Sequence, residues 1–70
     1  MTNTFNIDIA SVPDRDEPVV EVWYGDEQVA ELRREGGELR MQLFAPRSAV
    51  AWDFDIDAFL GAINKAKERL

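Results

Sequence analysis

The chain has 70 residues, with 14 acidic and 8 basic side chains, no histidine, no cysteine and a net charge of −6. Without histidine or cysteine it lacks the usual participants in zinc sites, Ser-His-Asp triads, Cys-His pairs and disulfides. The acidic balance speaks against contact with nucleic-acid phosphates or anionic membranes, and the length sets one small domain, 1–70, with a single core.

At the start, Met1 to Phe5 show no positive charge and no apolar run of the kind a signal peptide needs. No apolar stretch approaches the ~20 residues of a membrane span, so the expected location is the cytoplasm. Phe5, Ile7 and Ile9 then alternate with Asn6, Asp8 and Ala10, the period-two pattern of a half-buried strand. Ser11 to Pro18 carries two prolines and four charges and reads as a loop. Val19 to Tyr24, rich in β-branched and aromatic residues, is the second strand. Gly25-Asp26 signals a turn into a third strand, Gln28 to Arg34. Gly36-Gly37 suits a type I′ hairpin, because both residues accept positive φ. Glu38 to Phe44 is the fourth strand, and Pro46 ends it.

The pairing register follows from the turns. A two-residue loop at Gly36-Gly37 sets Leu32 opposite Met41 and Ala30 opposite Leu43, one apolar face. The same rule at Gly25-Asp26 would turn Glu21 toward the core. A three-residue loop, Gly25-Asp26-Glu27, pairs Ala30 with Val22 and Leu32 with Val20 instead and is the preferred reading. An equivalent bulge has the same effect.

The last third reads as an amphipathic helix. Ile56, Phe59, Leu60, Ile63, Ala66 and Leu70 fall along one face. Asp55 is the expected N-cap, accepting from the N–H of Asp57 or Ala58. Phe54 at N′ and Phe59 at N4 form a hydrophobic staple. Asp53, Asp55 and Asp57 sit at the positive end of the helix dipole, and Lys65, Lys67 and Arg69 near its negative end. Gly61 costs about 1 kcal/mol of helix propensity and is read as a mark of close approach between helix and sheet.

The expected fold is α+β: a four-stranded antiparallel β-meander with one C-terminal α-helix packed on one face (ββββα). Its expected core is Phe5, Ile7, Ile9, Val20, Val22, Tyr24, Ala30, Leu32, Leu39, Met41 and Leu43 against Ile56, Phe59, Leu60 and Ile63. The other face then holds Val19, Glu21, Trp23, Val29, Glu31, Arg33, Arg40, Gln42 and Phe44.

Within that open face, Trp23, Val29 and Phe44 make an apolar patch beside Arg40, with Trp52 brought near by the connection to the helix. Exposed aromatics with arginine have the composition of an interaction surface; as structure alone, they are cross-strand pairs partly covered by the Val12–Glu17 loop. Asp53, Asp55 and Asp57 imitate the opening of a calcium loop, but Ala58 stands where its glycine is needed and Asn64 where its glutamate is needed. They are read as capping and dipole groups. Asp14, Asp16 and Glu17, with Asp8 and Glu21 nearby, are read as a solvated loop whose functional alternative is a landing site for a basic partner. A catalytic carboxylate pair could be drawn from the same set, yet nothing in the pattern places a cleft between them. No catalytic, cofactor or metal site is expected, and no enzyme.

The succession Val-Glu-Val-Trp-Tyr-Gly-Asp, Val-Ala-Glu-Leu-Arg-Arg, Gly-Gly-Glu-Leu-Arg-Met-Gln-Leu and Trp-Asp-Phe-Asp-Ile-Asp resembles a family of short uncharacterised bacterial proteins. The resemblance covers 18–70 and implies the fold without an activity. Some similar strand-rich acidic proteins are immunity partners of toxins. The functional expectation is a non-enzymatic module that binds a protein through the open sheet face or an edge strand, a basic toxin being one concrete case. The alternative is a small domain that associates with itself as a homodimer.

Overall fold

Runs of alternating side chains punctuated by glycine and proline pair with their sequence neighbours, as consecutive strands commonly do. A computed structural model describes residues 4–11, 13 and 17–70. They form β1 (Phe5–Ala10), β2 (Val19–Tyr24), β3 (Glu27–Glu35), β4 (Glu38–Leu43) and α1 (Ile56–Glu68). The strands make one antiparallel sheet in the order β1-β2-β3-β4, with a single C-terminal helix, the expected ββββα arrangement. Val12, Asp14 and Asp16 lie outside the described residues; Glu17 is exposed.

Both glycines of the β3–β4 turn have positive φ, 60° and 83°, the requirement of a type I′ turn. The β2–β3 connection departs from the preferred three-residue loop. It is a two-residue turn, Gly25-Asp26, with positive φ only at Gly25, the pattern of type II′. A bulge follows: Val22 pairs with Ala30 but Trp23 with Gln28, so Val29 is the extra residue. The bulge restores the apolar register, Val20 to Leu32 and Val22 to Ala30. It also draws Val29 into the core, where it is fully buried with Val20, Val22 and Ala30 beside the buried Leu32.

The helix begins as its sequence dictates. Asp55 accepts from the Ala58 N–H at 2.9 Å, and Phe54 stacks on Phe59 with centroids 5.7 Å apart. Phe54 also meets Phe5 at 4.8 Å, Tyr24 at 4.7 Å and Trp52 at 5.2 Å. One ring thus joins β1, β2, the connection and α1. At the other end, Arg34 Nη2 donates to the Leu70 carbonyl at 3.3 Å.

The helix is rotated from its expected setting. Ala62 and Ala66 are its buried residues, with Phe59, Ile63 and Leu70 half-buried beside them, whereas Ile56 and Leu60 face outward, 69% and 50% exposed. Small side chains let the helix axis come close to the pleat, and a Leu at the same place would hold it off. The helix packs on β1 and β2. The expected core members Leu39, Met41 and Leu43 of β4, and Ile9 at the end of β1, are therefore exposed.

Gly61 does not mark a close approach: a Cβ there would meet nothing within 4 Å. Gly61→Ala is expected to raise stability by about 1 kcal/mol through helix propensity and a less free unfolded chain. Phe54→Ala is expected to cost about 3 kcal/mol, as for a large aromatic removed from a packed cluster. Urea unfolding followed by tryptophan fluorescence measures both.

Candidate functional site

With the helix in place, two surfaces gather exposed apolar or aromatic side chains of the strands. The first lies on the helix side. Met41 is opposite buried Leu32 and Leu43 opposite buried Ala30, so these side chains and that of Leu39 project toward the helix layer. The helix α1, packed on β1 and β2, leaves them uncovered. They are 44%, 58% and 44% exposed respectively, on the last strand of the sheet. Between this strand and α1 runs a groove of about 250 Å³ lined by Leu32, Leu39, Arg40, Met41, Ile63 and Lys67. Ile56 and Leu60 form an exposed apolar ridge on the neighbouring helix.

The second surface is the open face. Trp23 and Phe44 line one shallow depression there, with Asp26, Glu27, Gln28, Ala45 and Arg47; this much of the expected patch is assembled. Arg40 is exposed and pairs along its own strand with Glu38 at 3.2 Å. Opposite it stands Arg33, itself paired with Glu35 at 2.8 Å. Two expected members are elsewhere. Val29 is buried in the core by the bulge. Trp52 packs on Phe54 at the helix start and belongs to the core side, where its Nε1–H donates to the Phe44 carbonyl at 2.6 Å.

Asp8, Glu21 and Glu31 stand directly opposite one another across β1, β2 and β3. Like charges so placed destabilise a sheet; Trp23 Nε1 donates to Glu21 Oε1 at 3.2 Å. At the helix start, Asp55 is engaged as the cap. Among the described residues no three metal-donor side chains converge.

The sequence marks Glu27 only as part of a turn, and its role is larger. Its Oε1 accepts from the backbone N–H of Arg47 at 2.6 Å and of Ser48 at 3.2 Å, and its Oε2 accepts from the Ser48 hydroxyl. Arg47 in turn donates from Nη2 to the Asp26 carbonyl at 3.1 Å. One carboxylate thus ties the β2–β3 turn to the connection after Pro46. The sequence signal available was an acid two residues past a glycine turn, too common to single out. The Ser48 hydroxyl, then the Arg47 N–H, hold the Glu27 carboxyl below its ordinary pKa of 4.5.

No family model, curated protein or solved structure matches the chain. What the two surfaces do must be argued from their own chemistry.

A carboxyl whose folded pKa is depressed contributes stability above its unfolded pKa and loses it as the pH falls through the folded value. Glu27 therefore supports the fold above about pH 4.5 and ceases to do so in more acid solution. Glu27→Gln is expected to be less stable at neutral pH and to show a flatter decline as the pH falls below about 4.5, measured by urea unfolding at each pH.

Proposed function

We propose that the chain is a non-enzymatic protein-binding module that works in the cytoplasm through the β4 edge and the apolar strip beside it. The observation that carries this reading is the exposure of Leu39, Met41 and Leu43 on the last strand of the sheet formed by the described residues, together with that of Ile56 and Leu60 on the helix. A sheet edge provides unpaired backbone donors and acceptors, and flanking apolar side chains provide pockets for a partner. A chain of this size has little apolar surface to spare from its own core, so a strip left uncovered is most simply explained by a partner that covers it.

A second reading is favoured by one feature of the open face. The row Asp8, Glu21 and Glu31 suits a basic partner, a basic toxin held by an acidic surface being one concrete case. The shallow depression at Trp23 and Phe44 would then give that partner an apolar anchor.

The two readings put the partner on opposite faces. A photo-crosslinking amino acid at Leu43 reports on the helix side of β4, and one at Glu31 on the open face. Adducts of defined mass from Leu43 in producing cells, with none from Glu31, are the expected result. Adducts from Glu31 alone would transfer the function to the acidic row, and no adducts from either would overturn the binding reading.

A further inference from the structure

We propose that the occupant of the β4 surface is a second copy of this chain, with β4 pairing antiparallel to its counterpart about a two-fold axis through Met41. This rests on the reading of β4 as the binding edge and gives that edge a partner and a register.

The backbone decides which residues can pair. The Phe44 N–H bonds to the Val29 carbonyl at 2.9 Å, so Phe44 is a position where β4 turns its polar groups inward to β3. In an antiparallel ladder such positions alternate. With the register running unbroken from Ala30–Leu43 to Glu35–Glu38, Gln42, Arg40 and Glu38 also point inward. Leu43, Met41 and Leu39 present their N–H and C=O groups to the free edge. The three residues with outward backbone groups are thus the three that carry the exposed apolar side chains.

A two-fold axis through Met41 matches this set to itself. Leu39 meets the second copy's Leu43, Met41 meets Met41, and Leu43 meets Leu39, each as a narrow pair that exchanges two hydrogen bonds. Side chains directly opposite point to one side of the sheet, so the leucines and methionines of both copies meet on the helix side. On the open face Arg40 falls opposite Gln42. Neighbouring registers are worse. Centring on Arg40 sets two guanidinium groups directly opposite one another, and centring on Gln42 slides Leu39 beyond the strand to Ala45, next to Pro46.

Charge selects this edge over the other. Each copy carries −6, so association must occur where the surface is least acidic. The β1 edge carries Asp8, and the groove between β1 and α1 adds Asp55 and Asp57 against Lys65 alone. On β4, Glu38 and Arg40 already neutralise each other, and Lys67 lines the groove.

The test is sedimentation equilibrium of the purified full chain over a range of concentrations, joined to cysteine crosslinking. The chain has no cysteine, so Met41→Cys introduces one thiol per copy. Narrow-pair Cα atoms lie about 5.5 Å apart, within disulfide range. The expected results are a reversible dimer, a Met41→Cys disulfide under mild oxidation, and a Gln42→Cys variant that stays largely reduced. Met41→Glu should weaken the dimer about a hundredfold by setting two carboxylates against each other. Met41 is 44% exposed, so this variant keeps its monomer fold, which far-UV circular dichroism checks; the cysteine variants need no such assumption. A monomer at every concentration, or a dimer in which Gln42→Cys closes and Met41→Cys does not, overturns the proposal. If the monomer still gives Leu43 photo-adducts with other proteins, the binding edge stands and only the second copy falls.

Discussion

The contact of the Phe54 ring with Phe5, Tyr24, Trp52 and Phe59 is the constraint on which the rest of the structure depends. A short chain cannot draw on a deep core, and the fully buried side chains here are no larger than valine. The half-buried rings of Phe5, Tyr24, Trp52, Phe54 and Phe59 pack against that core, and their offset and edge contacts add preference for particular angles. Phe54 holds the helix start against the β1–β2 side of the sheet, while the Asp55 cap fixes where the first turn begins. With Arg34 holding the Leu70 carbonyl at the far end, the position of the helix over the sheet is set. The exposure of β4 follows from that placement.

The bulge at Val29 acts as the complementary device within the sheet. A plain two-residue hairpin would turn Glu21 into the core. The extra residue shifts the parity, so Val20, Val22, Ala30 and Leu32 share one side and both Val29 and Ala30 are buried. The same shift sets Glu21 against Glu31 on the other side. The carboxylate row is thus partly a consequence of protecting the core, and its repulsion is tolerated because the open face is bathed in solvent and screened by salt. β4 carries no comparable compensation. Its apolar residues are uncovered although the register that carries them was set by the β3–β4 turn alone.

Much of this fold was legible in the sequence because its signals are local. Alternation identified the strands, paired glycines set the β3–β4 register, and the Phe54–Phe59 spacing with Asp55 located the helix start. The rotation of the helix was not legible. Its apolar arc, from Ile56 through Phe59, Leu60, Ala62 and Ile63 to Ala66, is wider than the surface it meets. Hydropathy favours Leu60 and Ile56 for the interior, whereas the sheet contact selects Ala62 and Ala66 because they permit closer approach. A periodic pattern shows that a stripe exists and leaves its azimuth to packing. The candidate site divided for the same reason. Trp23 and Phe44 depend on strand parity and came together, whereas Val29 and Trp52 depend on a bulge and on the path of a twelve-residue connection (44–55), which parity does not determine.

An uncovered β4 also bears on how the fold is maintained. Exposed leucine and methionine on an edge strand favour uncontrolled pairing, and edge strands are ordinarily blunted by charge, proline or covering elements. On β4 the charges point to the open face and are spent on each other, Pro46 lies past the strand, and the helix is held away by the aromatic contacts. Among the described residues the acidity of the molecule remains as a guard, which slows indiscriminate approach without closing the edge. Binding at this strip would hide the apolar surface and add its free energy to folding, making stability rise with partner concentration. The placement of Phe54 thereby links the fold to association: the ring that fixes the helix over β1 and β2 is also what leaves β4 free to be covered from outside.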